Sequence, residues 1–336
     1  MSFKRLDPED ITISAEAVVA PAWSGQATQL TAFFTASSQA NSNTGDYYYN
    51  IYQTSSDATG TAVQFAAAYG NRVGSGSVNI NGIVGKSPSA ITYGQYRTLI
   101  TGDEDTDFTF GTTTPNSVFI ITVNRSRYKE KLQPGSLNLT LASGSNVIKL
   151  TDNSVNTTVV SYTDSGRVYD IISGSNGQSY NGGTGFTPSS GSYGKFLPDV
   201  GVIVLNGEAL KAPAIGGGLA AVINEANNSG DPKNLNLIYD MIKLGGNFSV
   251  RSEETVTSNY VFVRVRNSEY NYSTNPSNIT GSGELRYDVM INSPQTYITT
   301  IGLYNDNNDL LGVAKLSRPL LKDFTKEALV RIKLDY

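Results

Sequence analysis

The chain has no histidine and no cysteine among its 336 residues. Those two absences exclude disulfide bonds, thiolate or imidazole metal sites, a cysteine nucleophile and any Ser-His-Asp triad. Most hydrolytic chemistry goes with them, and the expectation is a protein that is not an enzyme and needs no cofactor. Charge is also scarce: 16% of residues are Asp, Glu, Lys or Arg, and a formal net charge of -4 offers no basic field to nucleic acid. No stretch approaches the roughly 20 apolar residues that cross a bilayer as a helix. The opening MSFKRLDPED follows its basic pair with acids and has no apolar run behind it, which does not fit a secretory leader. Synthesis in a cytoplasm, with neither membrane nor nucleic acid as partner, is the expectation.

What is abundant points to a fold class. The 33 Gly and 20 Tyr stand beside many Ser, Thr and Asn, the profile of a turn-rich β protein. Short β-prone runs recur between Gly, Asn and Asp clusters: Tyr47 to Tyr52, Val118 to Val123, Leu137 to Leu141, Val147 to Leu150, Thr158 to Tyr162, Val168 to Ile172 and Val200 to Leu205. Val63 to Tyr69 is an apolar run of either type. Phe248 to Arg251, Tyr260 to Arg266 and Leu285 to Ile291 alternate with the period of two expected of strands. Two segments read as helices. Ser87 can cap a helix over 88–100, Pro88 suits its first turn, and Ile91, Gln95 and Leu99 recur four apart beside Tyr96. Asp231 and Pro232 open the second, Leu235, Ile238, Tyr239 and Ile242 form its apolar stripe, and Gly245 stops it. The predicted fold is mainly β: antiparallel sandwich or barrel-like sheets with two short helices and long Gly/Ser/Asn-rich loops, among them 173–196.

The C-terminal stretch carries the clearest local signal. Thr300 to Tyr304 and Leu310 to Leu316 flank Asn305-Asp306-Asn307-Asn308-Asp309, residues that tolerate left-handed backbone and bond their own main chain, so a β-hairpin is predicted. Beyond Pro319, Leu329, Arg331, Lys333 and Asp335 alternate with Val330, Ile332, Leu334 and Tyr336. The second set is expected in a core shared with Ile301, Leu303, Leu311 and Val313. Three regions follow: 1–35 as an N-terminal docking arm holding Trp23, or else a first strand and loop of the main core; 36–245 as a β-rich domain with both helices; and 246–336 as a C-terminal β-domain.

Candidate chemistry is thin. Asp103, Asp105 and Asp107 alternate as calcium ligands do, but Phe108 stands where the calcium loop needs Gly and Thr114 where it needs Glu, which favours a solvated acidic turn. Asp152-Asn153-Ser154 is a second oxygen-rich corner. Glu253 and Glu254 are adjacent on a strand and face opposite sides, so they cannot flank one glycosidic bond. Gly216-Gly217-Gly218 lacks the Lys and Ser of a phosphate loop. Tyr47, Tyr48, Tyr49 and Tyr52 form the densest aromatic cluster and, with Trp23, are the interface candidates; stacking on a host glycan is the alternative use of the tyrosines.

The segments FKRLDPEDI, SGRVYDIISGSNG, FLPDVGVIVLNGEAL and VRNSEYNYSTNPSNIT, and the closing IGLYNDNNDLLGVAKLSRPLLKDFTKEALVRIKLDY, resemble virion structural proteins of contractile-tailed phages that infect cyanobacteria. The resemblance is strongest over 260–336. It implies a tail or baseplate-associated subunit with other phage structural proteins as partners in a symmetric particle, and it carries no catalytic motif. Neck or head decoration, and a glycan-binding or receptor-binding tail module, are the alternatives.

Overall fold

The structure, a computed structural model, describes residues 3–35, 48–55, 61–76, 87–179, 191–211, 223 and 233–335. The fold is mainly β, with 47% of residues in strands and 16% helical, as the short alternating runs require. In chain order the strands are β1 (Ile11–Pro21), β2 (Tyr48–Tyr52), β3 (Val63–Asn71), β4 (Ser117–Val123), β5 (Lys131–Leu132), β6 (Asn138–Ser143), β7 (Asn146–Asp152), β8 (Ser161–Thr163), β9 (Gly166–Ser175), β10 (Gln178–Ser179), β11 (Gly194–Leu197), β12 (Val202–Asn206), β13 (Asn247–Ser249), β14 (Arg251–Val265), β15 (Gln295–Tyr304), β16 (Leu310–Asp323) and β17 (Ala328–Asp335). The helices are α1 (Pro88–Thr101), α2 (Gly207–Lys211), α3 (Lys233–Gly245) and α4 (Asp288–Asn292).

The chain divides into two compact units rather than the three regions expected: Val18–Glu254, and Met1–Ala17 together with Thr255–Tyr336. The first residues therefore do not form a separate arm. Part of them belongs with the C-terminal residues, and the part holding Trp23 lies in the larger unit.

The larger unit is built on an antiparallel 11-stranded sheet whose main path runs β13-β6-β7-β9-β11-β12-β4-β3-β2. Its central strands are buried on both faces. In β4, Phe119, Ile121 and Val123 join one apolar cluster while Val118 and Ile120 join another, and in β12 Ile203 and Leu205 separate in the same way from Val202 and Val204. That double burial is why these runs are continuously apolar in sequence. The sheet curls, and one short segment meets both of its edges. Leu30 exchanges backbone hydrogen bonds with Phe248 of β13 (2.8 and 3.0 Å), and Phe34 does so with Tyr52 of β2 (3.0 and 2.8 Å). Four residues span at most about 14 Å, so the two edge strands approach each other, and their exposed backbone groups find partners.

Helix α3 packs on β6 and β13 at one end of the sheet and on β3 and β2 at the other. Leu235, Ile238, Met241 and Ile242 enter the first cluster, as the predicted stripe requires, with Tyr239 packed at its margin. Helix α1 serves the second cluster. Its N-cap is Ser87, whose Oγ accepts from the Ala90 amide, and it ends at Gly102, whose φ of 71° lets the amide return to the Thr98 carbonyl. The predicted limits hold to within a residue, but the buried face is not the predicted one. Tyr93 and Ile100 are buried, whereas Ile91 is 55% and Leu99 49% exposed.

In the smaller unit β14 lies between β1 and β17. The β14–β17 ladder runs from Ser258↔Asp335 to Val265↔Ala328, which confirms the strand expected at the C-terminus. β15 and β16 form a separate two-stranded sheet whose turn includes Asn308 at φ 64°. The hairpin is where the sequence placed it, but its core is not: Leu311 and Val313 are 70% and 59% exposed, and β17 pairs with β14 instead of packing on them. Val330 is half-buried, Ile332 buried and Leu334 39% exposed, while Tyr336 lies outside the described residues.

Two further expectations change. Leu285 to Ile291 does not form a strand. Ile279↔Leu285 makes one isolated bridge, no ladder continues it, and residues Asp288–Asn292 close a short helix instead. The loop over 173–196 is shorter than expected, because β9 continues to Ser175, β10 pairs back onto it, and Tyr193 to Leu197 are buried or in strand; residues 180–190 lie outside the described residues.

Candidate functional site

The tyrosine cluster divides between the core and the surface. Tyr49 is 1% exposed, its hydroxyl donates to Asn236 Oδ1, and its ring meets Tyr239 edge-on at 5.8 Å. Tyr52 is half-buried and tied to Phe34 through its backbone, Tyr48 is 44% exposed, and Tyr47 lies outside the described residues. A strand places alternate side chains on opposite faces, so neighbouring tyrosines cannot form one stacking platform. Trp23 is likewise not a free anchor. It is 2% exposed, donates from Nε1 to the Phe248 carbonyl at 2.9 Å, and packs edge-on against the Phe248 ring at 4.9 Å. The segment holding Trp23 therefore packs in the core of the larger unit.

The acidic loop after α1 is held by its own hydrogen bonds. Asp103 accepts from the Thr106 hydroxyl and from the Asp105 amide at 2.9 Å, and these bonds hold its carboxyl below the usual range. Asp107 turns the other way, into an Arg cluster: Arg72 Nη1 lies 2.9 Å and Arg97 Nη1 3.6 Å from its oxygens, and the Tyr93 hydroxyl donates to it at 3.2 Å. Burial pushes Tyr93 up to about 12, and the bond it accepts from the Phe108 amide at 3.1 Å opposes that shift. Asp107 is thus neutralised by cations instead of facing a shared ion with Asp103 and Asp105. Among the described residues no group of acidic side chains converges as a metal site would require.

The remaining carboxylates have structural roles. Glu253 reaches Lys131 Nζ at 3.3 Å and Glu254 reaches Lys129 Nζ at 2.9 Å, so each is paired separately along β14. Asp152 is fully buried, and its Oδ1 accepts from the amides of Gly135 (2.8 Å) and Ser154 (3.2 Å). Asn153 accepts from the Asp170 amide at 3.0 Å, so this corner closes a loop. Gly216 to Gly218 lie outside the described residues.

Two arrangements went unseen in the sequence. Lys322 is fully buried, with its ammonium donating to the carbonyls of Asn267 (3.0 Å) and Asp323 (2.9 Å) and to Asn271 Oδ1 (2.6 Å). Nothing local marks it, since all but one of its acceptors come from a loop about fifty positions away. Arg167 and Asp199 form a forked ion pair with Nη2–Oδ1 at 2.5 Å, between residues that no motif connects.

The surface that stands out is the hairpin. Both apolar clusters draw their members from the larger unit. Among the described residues of the smaller unit the buried apolar side chains are Val261, Val265, Ala328 and Ile332. Yet this unit carries more than half of the exposed large apolar residues among those described, including Phe3, Ile13, Val289, Tyr297, Tyr304, Leu310, Leu311 and Val313. On the hairpin they share one face. Gly302 pairs with Val313 and Thr300 with Lys315, Tyr304 pairs with Leu310 across a bulge, and all of these residues are exposed. Tyr304 folds its ring over Gly302, where a Cβ would meet it at 2.8 Å, and Phe3 caps the same ring edge-on at 5.2 Å. A two-stranded ribbon with an open apolar face is marginal in water by itself and is suited to being covered. No protein-family model, no curated protein and no solved structure matches the chain.

Proposed function

We propose that the protein is a structural component of a contractile phage tail, a baseplate-associated subunit that works by protein-protein contact within a virion assembled in the host cytoplasm. The observation that supports this reading is the bare hairpin. The unit holding it displays its apolar side chains on an open ribbon, as a part made for assembly does, and that same stretch bears the strongest resemblance to phage structural proteins. The carboxylates of Asp103, Asp107, Asp152, Glu253 and Glu254 fit a non-catalytic role, because each is engaged in a salt bridge or a loop hydrogen bond. A glycan platform gains no support from Tyr48 and Tyr49, which as strand neighbours face opposite sides, Tyr49 into the core.

Position and stoichiometry in an intact particle test the proposal. Antibody labelling and quantitative mass spectrometry of purified phage should find a small symmetric ring of copies at the distal end of the tail. Hundreds of copies on the head shell, or none in the particle, would overturn it.

A further inference from the structure

The hairpin is polarised along its length. Asp306 and Asp309 sit at the turn, whereas Lys315 and Arg318 lie further down β16, exposed and with no acidic partner among the described residues. Two such ribbons laid side by side in parallel would stack like charges. Laid antiparallel, they bring the acidic tip of each against the basic stretch of the other. The outer edge of β16 offers backbone groups for that contact, since among the described residues the β15–β16 sheet has no third strand. β15 carries no charged residue and so encodes no register of its own.

We propose that the hairpin is completed by a second copy of this chain, through antiparallel pairing of β16 with β16 about a two-fold axis at Gly312. This register places Leu311 opposite Val313 of the second copy and Asp309 opposite its Lys315, each twice by symmetry. The same offset directs Arg318 toward the tip that holds Asp306. Leu311 and Val313, which are 70% and 59% exposed in the single chain, become cross-strand neighbours. Gly312 at the axis presents no side chain and meets nothing within 4 Å, so the two backbones can approach closely. The product is a four-stranded antiparallel sheet with one continuous apolar face, which satisfies the requirement for more than two strands. An isologous contact needs a surface complementary to itself, and the acid-to-base polarity of the hairpin is such a surface. The contact does not rest on the virion reading, and it is tested on the purified chain alone.

The test is a charge swap read by sedimentation velocity of the full chain at micromolar concentration. The native chain should be a dimer. Lys315→Asp should weaken it by roughly thirtyfold, since two pairs change from attraction to repulsion together, with far-UV circular dichroism unchanged. Asp309→Lys should do the same. Mixing the two variants should restore dimers to within about threefold of native affinity, because each charge then meets its opposite across the pair. Val313→Asp gives an independent disruption that leaves the turn intact. A native chain that stays monomeric, a dimer indifferent to Lys315→Asp, or variants that do not recover on mixing would each overturn the proposal.

Discussion

Asp199 sits between two opposed influences. Burial alone would raise its carboxyl, but the guanidinium of Arg167, with contacts at 2.5 and 3.2 Å, and the Arg167 amide at 2.8 Å together hold it below the ordinary value. The folded state therefore binds this proton more weakly than the unfolded chain does. The contribution to stability is complete above the ordinary carboxylate range and is lost as pH falls through the depressed folded value. Asp199→Asn should cost about 1 kcal/mol at neutral pH, a hydrogen-bonded charge pair discounted for its partial exposure. It should also flatten the acid limb of the stability curve. Urea melts of both proteins at neutral pH and near pH 3 decide this, and a parallel shift of the two curves would show that the pair does not titrate as described. Lys322 makes a related point about what a sequence can reveal. Its own neighbours, Leu321 and Asp323, do not report that Asn267 and Asn271 supply its acceptors.

At the scale of elements, strand positions were legible where apolar side chains alternate or run on between turn clusters and a neighbouring strand supplies the ladder, and the limits of α1 were legible in part from its cap; the predicted opening of the second helix at Asp231 and Pro232 lies outside the described residues. Ser87 and Pro88 fix the start of α1 chemically and Asn305 to Asp309 fix the turn, whereas the stop at Gly102 is seen only in the structure. Helix phase was less legible. Ile91 and Leu99 recur at helical spacing yet face outward, because the sheet below is met by Tyr93 and Ile100, and spacing does not say which of two apolar stripes has a partner. Leu285 to Ile291 failed for a related reason: a strand needs a ladder, and no neighbour supplies one. Interface residues were the least legible, since Trp23 and Tyr49 have the composition of anchors but the environment of core. Helix α3 is the element whose reading held and can be tested. Ile238 is fully buried and Met241 nearly so, within a cluster that includes Phe65 and Phe248. Ile238→Ala or Met241→Ala should each cost about 2–5 kcal/mol, the cavity term included. Leu244→Ala, at a position 59% exposed, should cost under about 0.5 kcal/mol. Equal losses at Ile238 and Leu244 would mean that the helix does not present this face to the sheet.

Across the whole molecule, apolar side chains are distributed unevenly, and the consequence is a gradient of local stability. β4 and β12 have neighbours on both sides and apolar clusters on both faces, so their amides can exchange only when the larger unit opens as a whole. Among the described residues β15 and β16 have one neighbour each, and none gives their open face apolar cover. In dilute, monomeric protein the β15 and β16 amides should therefore exchange at least about a thousandfold faster than those of β4, a gap equal to several kcal/mol of opening free energy. Raising the concentration until β16 pairs with a second copy should slow the β16 amides more than those of β15, since the new hydrogen bonds form on β16. Hydrogen exchange read by mass spectrometry at two concentrations separates these strands. Protection of β15 and β16 equal to that of β4 in the monomer would show that the ribbon already has its support within one chain, and the case for a covering partner would fail with it.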